Sequence, residues 1–102
     1  MKMSLKLTSE KSGTDMTVYL SGEVNTLTAP ELDELLKREL NGVQNLTLDF
    51  EKCDYVSSAG LRVLLSTYKK MSAVNGTINL ENVGDGVMDV LQSTGLDVVF
   101  GL

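Results

Sequence analysis

The sequence predicts a mixed α/β domain: a β-sheet that begins as an antiparallel hairpin, continues with parallel strands and is flanked by helices. Three observations carry this expectation. Near the start, two runs place apolar side chains at every second position around a Gly-containing turn, the pattern of a hairpin. Two later segments carry apolar residues at spacings of three and four, the pattern of helices lying on a core. Short apolar runs follow each helical segment, and strands joined through a helix pair in parallel.

The elements follow in order. Met3, Leu5 and Leu7 alternate with Lys2, Ser4, Lys6 and Thr8, which gives a half-buried first strand. "KSGT" (11–14) is the turn, and Met16, Val18 and Leu20 alternate through the second strand. Thr28, three residues before Glu31, reads as a capping box, and Pro30 suits a first helical turn. Ala29, Leu32, Leu35, Leu36 and Leu40 form the stripe of that helix, and Asn41-Gly42 ends it. Leu46, Leu48 and Phe50 mark the next strand. A second helix opens at Ser57-Ser58, presents Leu61, Leu64, Leu65, Tyr68 and Met71 on one face, and stops at Gly76. "TINL" (77–80) is a short strand, and 84–95 a short helix through Val87, Val90 and Leu91. "LDVVF" (96–100) reads as a last strand at the sheet edge. The expected order is β-β-α-β-α-β-α-β, in one domain over residues 1–102, with no linker or internal repeat.

Composition narrows the chemistry. The chain has no His and one Cys, so the usual Ser-His-Asp, Cys-His and zinc arrangements have no residues to build them, and no metal is expected. No Walker A or dinucleotide fingerprint is present, so no cofactor is expected, and "GDG" (84–86) reads as a helix start. With a net charge of −5 and scattered Lys and Arg, direct nucleic-acid binding is not expected. No apolar run approaches the roughly 20 residues of a membrane span, and "MKMSLKLTSEK" is alternating and charged, unlike a signal peptide. A cytoplasmic, membrane-free location follows as the expectation. Cys53 reads as a buried structural thiol. Asp49, near the end of a strand, has the placement of a receiver-type phosphoacceptor but lacks the acidic pair and Lys that such a site uses.

The serine pair in "DYVSSAGLRVLL" (54–65) carries the functional question. Serine is a strong N-cap, and capping uses one hydroxyl. A second serine then stands in the first turn with its hydroxyl free. A helix N-terminus stabilises an anion, so phosphate there would leave the fold intact while changing the surface.

The stretch "YVSSAGLRVLL" (55–65) resembles the central motif of the STAS domain, known from bacterial anti-sigma factor antagonists, and "LSGEVNTLTAPEL" (20–32) resembles that family's first loop and helix. The resemblance spans essentially the whole chain. The family motif reads Asp-Ser-Ser/Thr-Gly-Leu, with the serine after the Asp phosphorylated. Laid on this chain, Ser57 takes the Asp position, Ser58 the phosphoacceptor, Ala59 the next Ser/Thr, and Gly60 and Leu61 follow; a second family acid falls on Asn25. The resemblance implies a non-enzymatic regulator that acts by partner switching. The unphosphorylated form binds an anti-sigma factor, which is itself a serine kinase of the histidine-kinase-like ATPase fold; phosphorylation of Ser58 releases it, and a PP2C-type phosphatase restores binding. The implied partner surface comprises Gly22, Glu23, Asn25, Thr26, Ser57, Ser58, Ala59, Gly60 and Arg62. The alternative it leaves is a non-phosphorylated STAS interaction module, a scaffold or lipid-transport complex subunit.

Overall fold

Strand β1 (Leu5–Ser12) turns at Gly13 into β2 (Asp15–Val24), and the two pair antiparallel from Leu5↔Gly22 to Ser12↔Asp15. This is a computed structural model describing residues 4–102; the proposed start of the first strand at Met3 lies outside the described residues. Helix α1 (Ala29–Glu39) leads to β3 (Asn45–Val56), and α2 (Ser58–Ala73) to β4 (Thr77–Glu81). The sheet order is β1-β2-β3-β4, with β2–β3 and β3–β4 parallel. The mixed sheet expected from the sequence is therefore present.

Alternation explains its two faces. Met16, Val18, Leu20, Leu46, Leu48 and Leu80 are buried and, by register, share one side with Leu5 and Leu7. The other side carries Lys6, Thr8, Thr17, Tyr19, Thr47 and Asp49, none of them buried. Helices α1 and α2 bury Leu32, Leu35, Leu36, Val63, Leu64 and Met71 in the apolar layer. Burying one such aliphatic side chain stabilises by roughly 1.5–3 kcal/mol.

Three local expectations are corrected. Strand β3 runs well past Phe50. Its buried residues fall at Leu46, Leu48, Phe50, Cys53 and Val56, so the spacing of two becomes three twice. The register against β2 jumps at those places: Tyr19↔Asp49 gives way to Ser21↔Lys52, and Gly22↔Cys53 to Glu23↔Tyr55. Each jump is an extra residue in β3, a bulge that restores the inward side chain after a break in alternation.

The inward face of α2 is set by Gly60, Val63, Leu64, Thr67 and Met71, while Leu61, Leu65 and Tyr68 are only partly buried. The stripe sits further round the helix than Leu61 and Leu65 suggest. Thr67 is admitted because its hydroxyl donates to the Val63 carbonyl at 2.7 Å, which satisfies that buried group.

"LDVVF" is not a strand. Helix α3 (Asp85–Thr94) ends at Gly95, which adopts a left-handed conformation (φ 79°), and α4 (Leu96–Val99) follows as one turn. The residues that pack inward are Leu96 and Phe100, four apart, while Val98 is 78% exposed. A strand would have placed Val98 and Phe100 on the same side. The Phe100 ring instead meets Tyr68 edge-on at 5.9 Å and fastens the C-terminal turn to α2.

Candidate functional site

The parallel pairing of β2 with β3 brings their C-terminal ends, Val24 and Val56, side by side. No loop separates β3 from α2: Val56 ends the strand, Ser57 is the cap and Ser58 is the first helical residue. The Ser57 N–H donates to the Val24 carbonyl at 2.7 Å, which fixes the α2 start against the end of β2. Gly60 is the contact point. A Cβ there would lie 2.7 Å from methyl groups of both Val24 and Val56 and 3.2 Å from the Val24 carbonyl, so only glycine lets the helix sit this close. Gly60 is buried and acts from within the junction.

Ser57 performs the cap. Its backbone is extended (φ −84°, ψ 176°), and its Oγ accepts from the Gly60 N–H at 3.4 Å. Ser58 is exposed at the first position of the helix, and its hydroxyl makes no hydrogen bond among the described residues. The sequence reading of the pair, one hydroxyl capping and one free, matches this geometry.

The capping box at Thr28 is not formed. Thr28 is already helical (φ −98°, ψ −21°) and makes no side-chain cap. Its buried hydroxyl instead donates to the Glu23 carbonyl at 2.6 Å and accepts from the Asn25 N–H at 2.8 Å. Asn25 supplies the other half: its Oδ1 accepts from the Leu27 and Thr28 N–H groups at 2.9 and 3.0 Å. This is an Asx-type turn, and the Thr28 hydroxyl is not available as a cap because it is already engaged upstream, while the Glu31 N–H bonds the Thr28 carbonyl instead.

Asn25 and Ser57 stand where the resembling motif carries acids. Each keeps the role of an oxygen acceptor for backbone N–H groups. Both side chains are neutral.

The remaining predicted residues are not gathered in one pocket: Glu23, Asn25 and Thr26 line one depression, while Arg62 lines a separate groove on α2. Gly22 (φ 118°) lies in β2 against β1; a Cβ there would collide with the Ser4 carbonyl oxygen. Glu23 is half-buried, and its Oε1 is fully enclosed without a hydrogen-bond partner among the described residues. Thr26 and Arg62 are exposed, and Ala59 is partly buried. Two neighbours escaped the sequence reading. Leu27, 83% exposed, and Tyr55, 45% exposed, line a shallow depression with Glu23, Asn25 and Thr26. Their signal was an apolar residue out of phase with the local stripe. Cys53, beneath the corner, is buried and its thiol donates to the Tyr55 carbonyl at 3.5 Å; loss of hydration pushes the thiol up, partly offset by backbone hydrogen bonding at Tyr55 and Val24. It is a packed thiol rather than a reactive one.

The STAS domain family model matches residues 6–102. The chain belongs to the STAS domain family. Among curated STAS relatives, a protein of Bordetella bronchiseptica named as a candidate anti-sigma factor antagonist, BtrV, is 33% identical over 97 residues, covering 94% of this chain and 84% of the relative. The anti-sigma-B factor antagonist of Bacillus subtilis is 27% identical, covering 92% and 86% of the two chains. Among solved structures, an anti-sigma factor antagonist from Mycobacterium paratuberculosis superposes with a TM-score of 0.80 at 26% identity over 94% of this chain and 82% of that one. The unphosphorylated form of the antagonist SpoIIAA shares the fold, with a TM-score of 0.78 at 19% identity over 96% and 97%. Among the described residues, no helix of this STAS domain is long and apolar enough to cross a membrane.

Proposed function

We propose that this STAS domain is an anti-sigma factor antagonist. It binds its anti-sigma factor when unphosphorylated, lets go when Ser58 carries phosphate, and so governs a sigma factor indirectly. One observation carries the reading: Ser58 is an exposed hydroxyl at the first position of α2, while its neighbour Ser57 already holds the cap. The names of the relatives support the partner class. The anti-sigma factor would itself be the serine kinase, of the histidine-kinase-like ATPase fold, and a PP2C-type phosphatase would reverse the modification. The STAS domain makes and breaks no bond; its serine is the substrate.

The physics of such a switch needs no refolding. Phosphate at a helix start meets free N–H groups and the positive end of the helix dipole, so the modified domain stays folded. It adds about −1.5 to −2 charge to a small surface. A charge enclosed in an interface without a cation opposite costs several kcal/mol, and each 1.4 kcal/mol is about a factor of ten in affinity.

The neutral residues Asn25 and Ser57 favour a second reading, an interaction module that works without phosphate. One experiment separates the two. The purified anti-sigma factor kinase and ATP are incubated with the parent chain, Ser58→Ala and Ser58→Asp, followed by mass spectrometry and binding assays. The expected result is phosphate on Ser58 of the parent, binding by Ser58→Ala without modification, and a folded Ser58→Asp that binds poorly. Phosphate on Ser57, or equal binding by Ser58→Asp, rejects the switch; binding with no phosphate on any residue selects the module.

A further inference from the structure

The outward face of α2 has a charge pattern unlike the rest of the molecule. The chain is acidic overall, at −5, yet residues 58–73 contain no Asp or Glu. Arg62, Lys69 and Lys70 are all exposed, and with Leu65, Ser66 and Ala73 they line one shallow groove along the helix. None of the three cations is in an ion pair among the described residues; the two ion pairs present lie on α1, Lys37–Asp33 and Arg38–Glu39. The groove thus offers a small apolar floor edged by unneutralised positive charge.

The groove begins one turn into the helix, at Arg62. Ser58 and Arg62 are four residues apart in one unbroken helix, so their side chains lie one above the other, about 5–6 Å between Cβ atoms. An anion at the N-terminal member and a cation four residues on is the favourable orientation of such a pair. Phosphoserine presents three acceptor oxygens, and the Arg guanidinium presents a fork of donors that matches them. Ser57 beside the acceptor is neutral, so it offers Arg62 no rival carboxylate.

We infer that the groove on α2 receives an acidic segment of the anti-sigma factor, and that phosphate on Ser58 closes it by capturing Arg62. This rests on the proposed phosphorylation of Ser58 and adds a mechanism to it. Phosphate of about −1.5 to −2 charge offsets half or more of the positive charge supplied by Arg62, Lys69 and Lys70. It also draws the leading cation of the groove into an internal pair. Release then has two sources, a new negative charge at the corner and the loss of the guanidinium that an acidic partner would meet.

The test separates these ideas from the phosphorylation itself. The full chain is prepared with phosphoserine placed at position 58 during translation, with no kinase involved, both as the parent and as Arg62→Gln. Phosphorus NMR then follows the second ionisation of the phosphate. The expected result is that the parent phosphate ionises about half a pH unit lower than in Arg62→Gln, because the guanidinium favours the dianion. The acidic residues, Glu23, Asp54 and Asp85 among them, are common to both chains, so the comparison isolates Arg62. Coincident titrations overturn the pair. In parallel, the unmodified parent, Arg62→Gln and Lys69→Glu are titrated with the purified anti-sigma factor at low and high salt. Lys69 lies about three turns from Ser58, so its replacement leaves the corner intact. Lys69→Glu is expected to bind about tenfold more weakly with an unchanged melting temperature, and the parent to lose affinity as salt rises. Unchanged affinity for both variants overturns the groove. No binding by the parent overturns the groove together with the antagonist reading, while the phosphate titration still decides the pair.

Discussion

The two helix starts at this corner use the same residue types to opposite ends. At α1, Thr28 and Asn25 are tied into the loop: the Thr28 hydroxyl joins the Glu23 carbonyl to the Asn25 N–H, and the Asn25 amide oxygen holds the Leu27 and Thr28 N–H groups. At α2, Ser57 supplies the side-chain cap, to the Gly60 N–H, and Ser58 stands outside the network. A hydroxyl at a helix start is thus either structure or a handle, and the neighbour decides which. Where an upstream side chain closes the turn, the hydroxyl is enclosed. Where the preceding residue caps, the next hydroxyl is left to solvent.

Stability measurements can break that contrast. Leu64 anchors α2 as a whole and sets the scale: Leu64→Ala is expected to cost about 2–5 kcal/mol in a denaturant titration, because the side chain is fully buried beneath the helix. Thr28→Val should come next, at about 1–3 kcal/mol, since it strips the Asn25 N–H and the Glu23 carbonyl of a buried partner. Ser57→Ala should cost about 0.5–2 kcal/mol through the lost cap. Ser58→Ala should stay within about 0.5 kcal/mol of the parent, as a surface change away from any cap. The order matters more than the values. If Ser58→Ala proves costlier than Ser57→Ala, the roles of the two serines are exchanged. If Thr28→Val is silent, the α1 loop is not the closed network its distances describe.

The same contrast explains what could be read from the sequence. Strict alternation in β1, β2 and the first half of β3 is legible because each inward residue stands on an uninterrupted sheet. The second half of β3 was not, since the bulges move Cys53 and Val56 off the period of two. Ser57 as a cap was legible from residue type and position. Thr28 satisfied the same rule and failed it, because the rule does not see the upstream backbone groups of Glu23 and Asn25 that take its hydroxyl. "LDVVF" has the composition of a strand, but a single aromatic contact between Phe100 and Tyr68 outweighs β-propensity in so short a segment. That residues 22–26 and 57–62 belong to one partner surface is what the family resemblance implies; the close approach of Gly60 to Val24 needed the fold.

The direct passage from β3 into α2 has a consequence for recognition. Ser58 sits one residue beyond its cap, on backbone that is hydrogen-bonded to the core on both sides. An enzyme that modifies it must accept a rigid convex corner and cannot draw the serine into a cleft as an extended peptide. A synthetic peptide of residues 50–65 would carry every letter of the motif and none of its shape. Specificity at such a site is written in three dimensions, so searching for it as a linear string would find the letters in chains that no cognate enzyme could use.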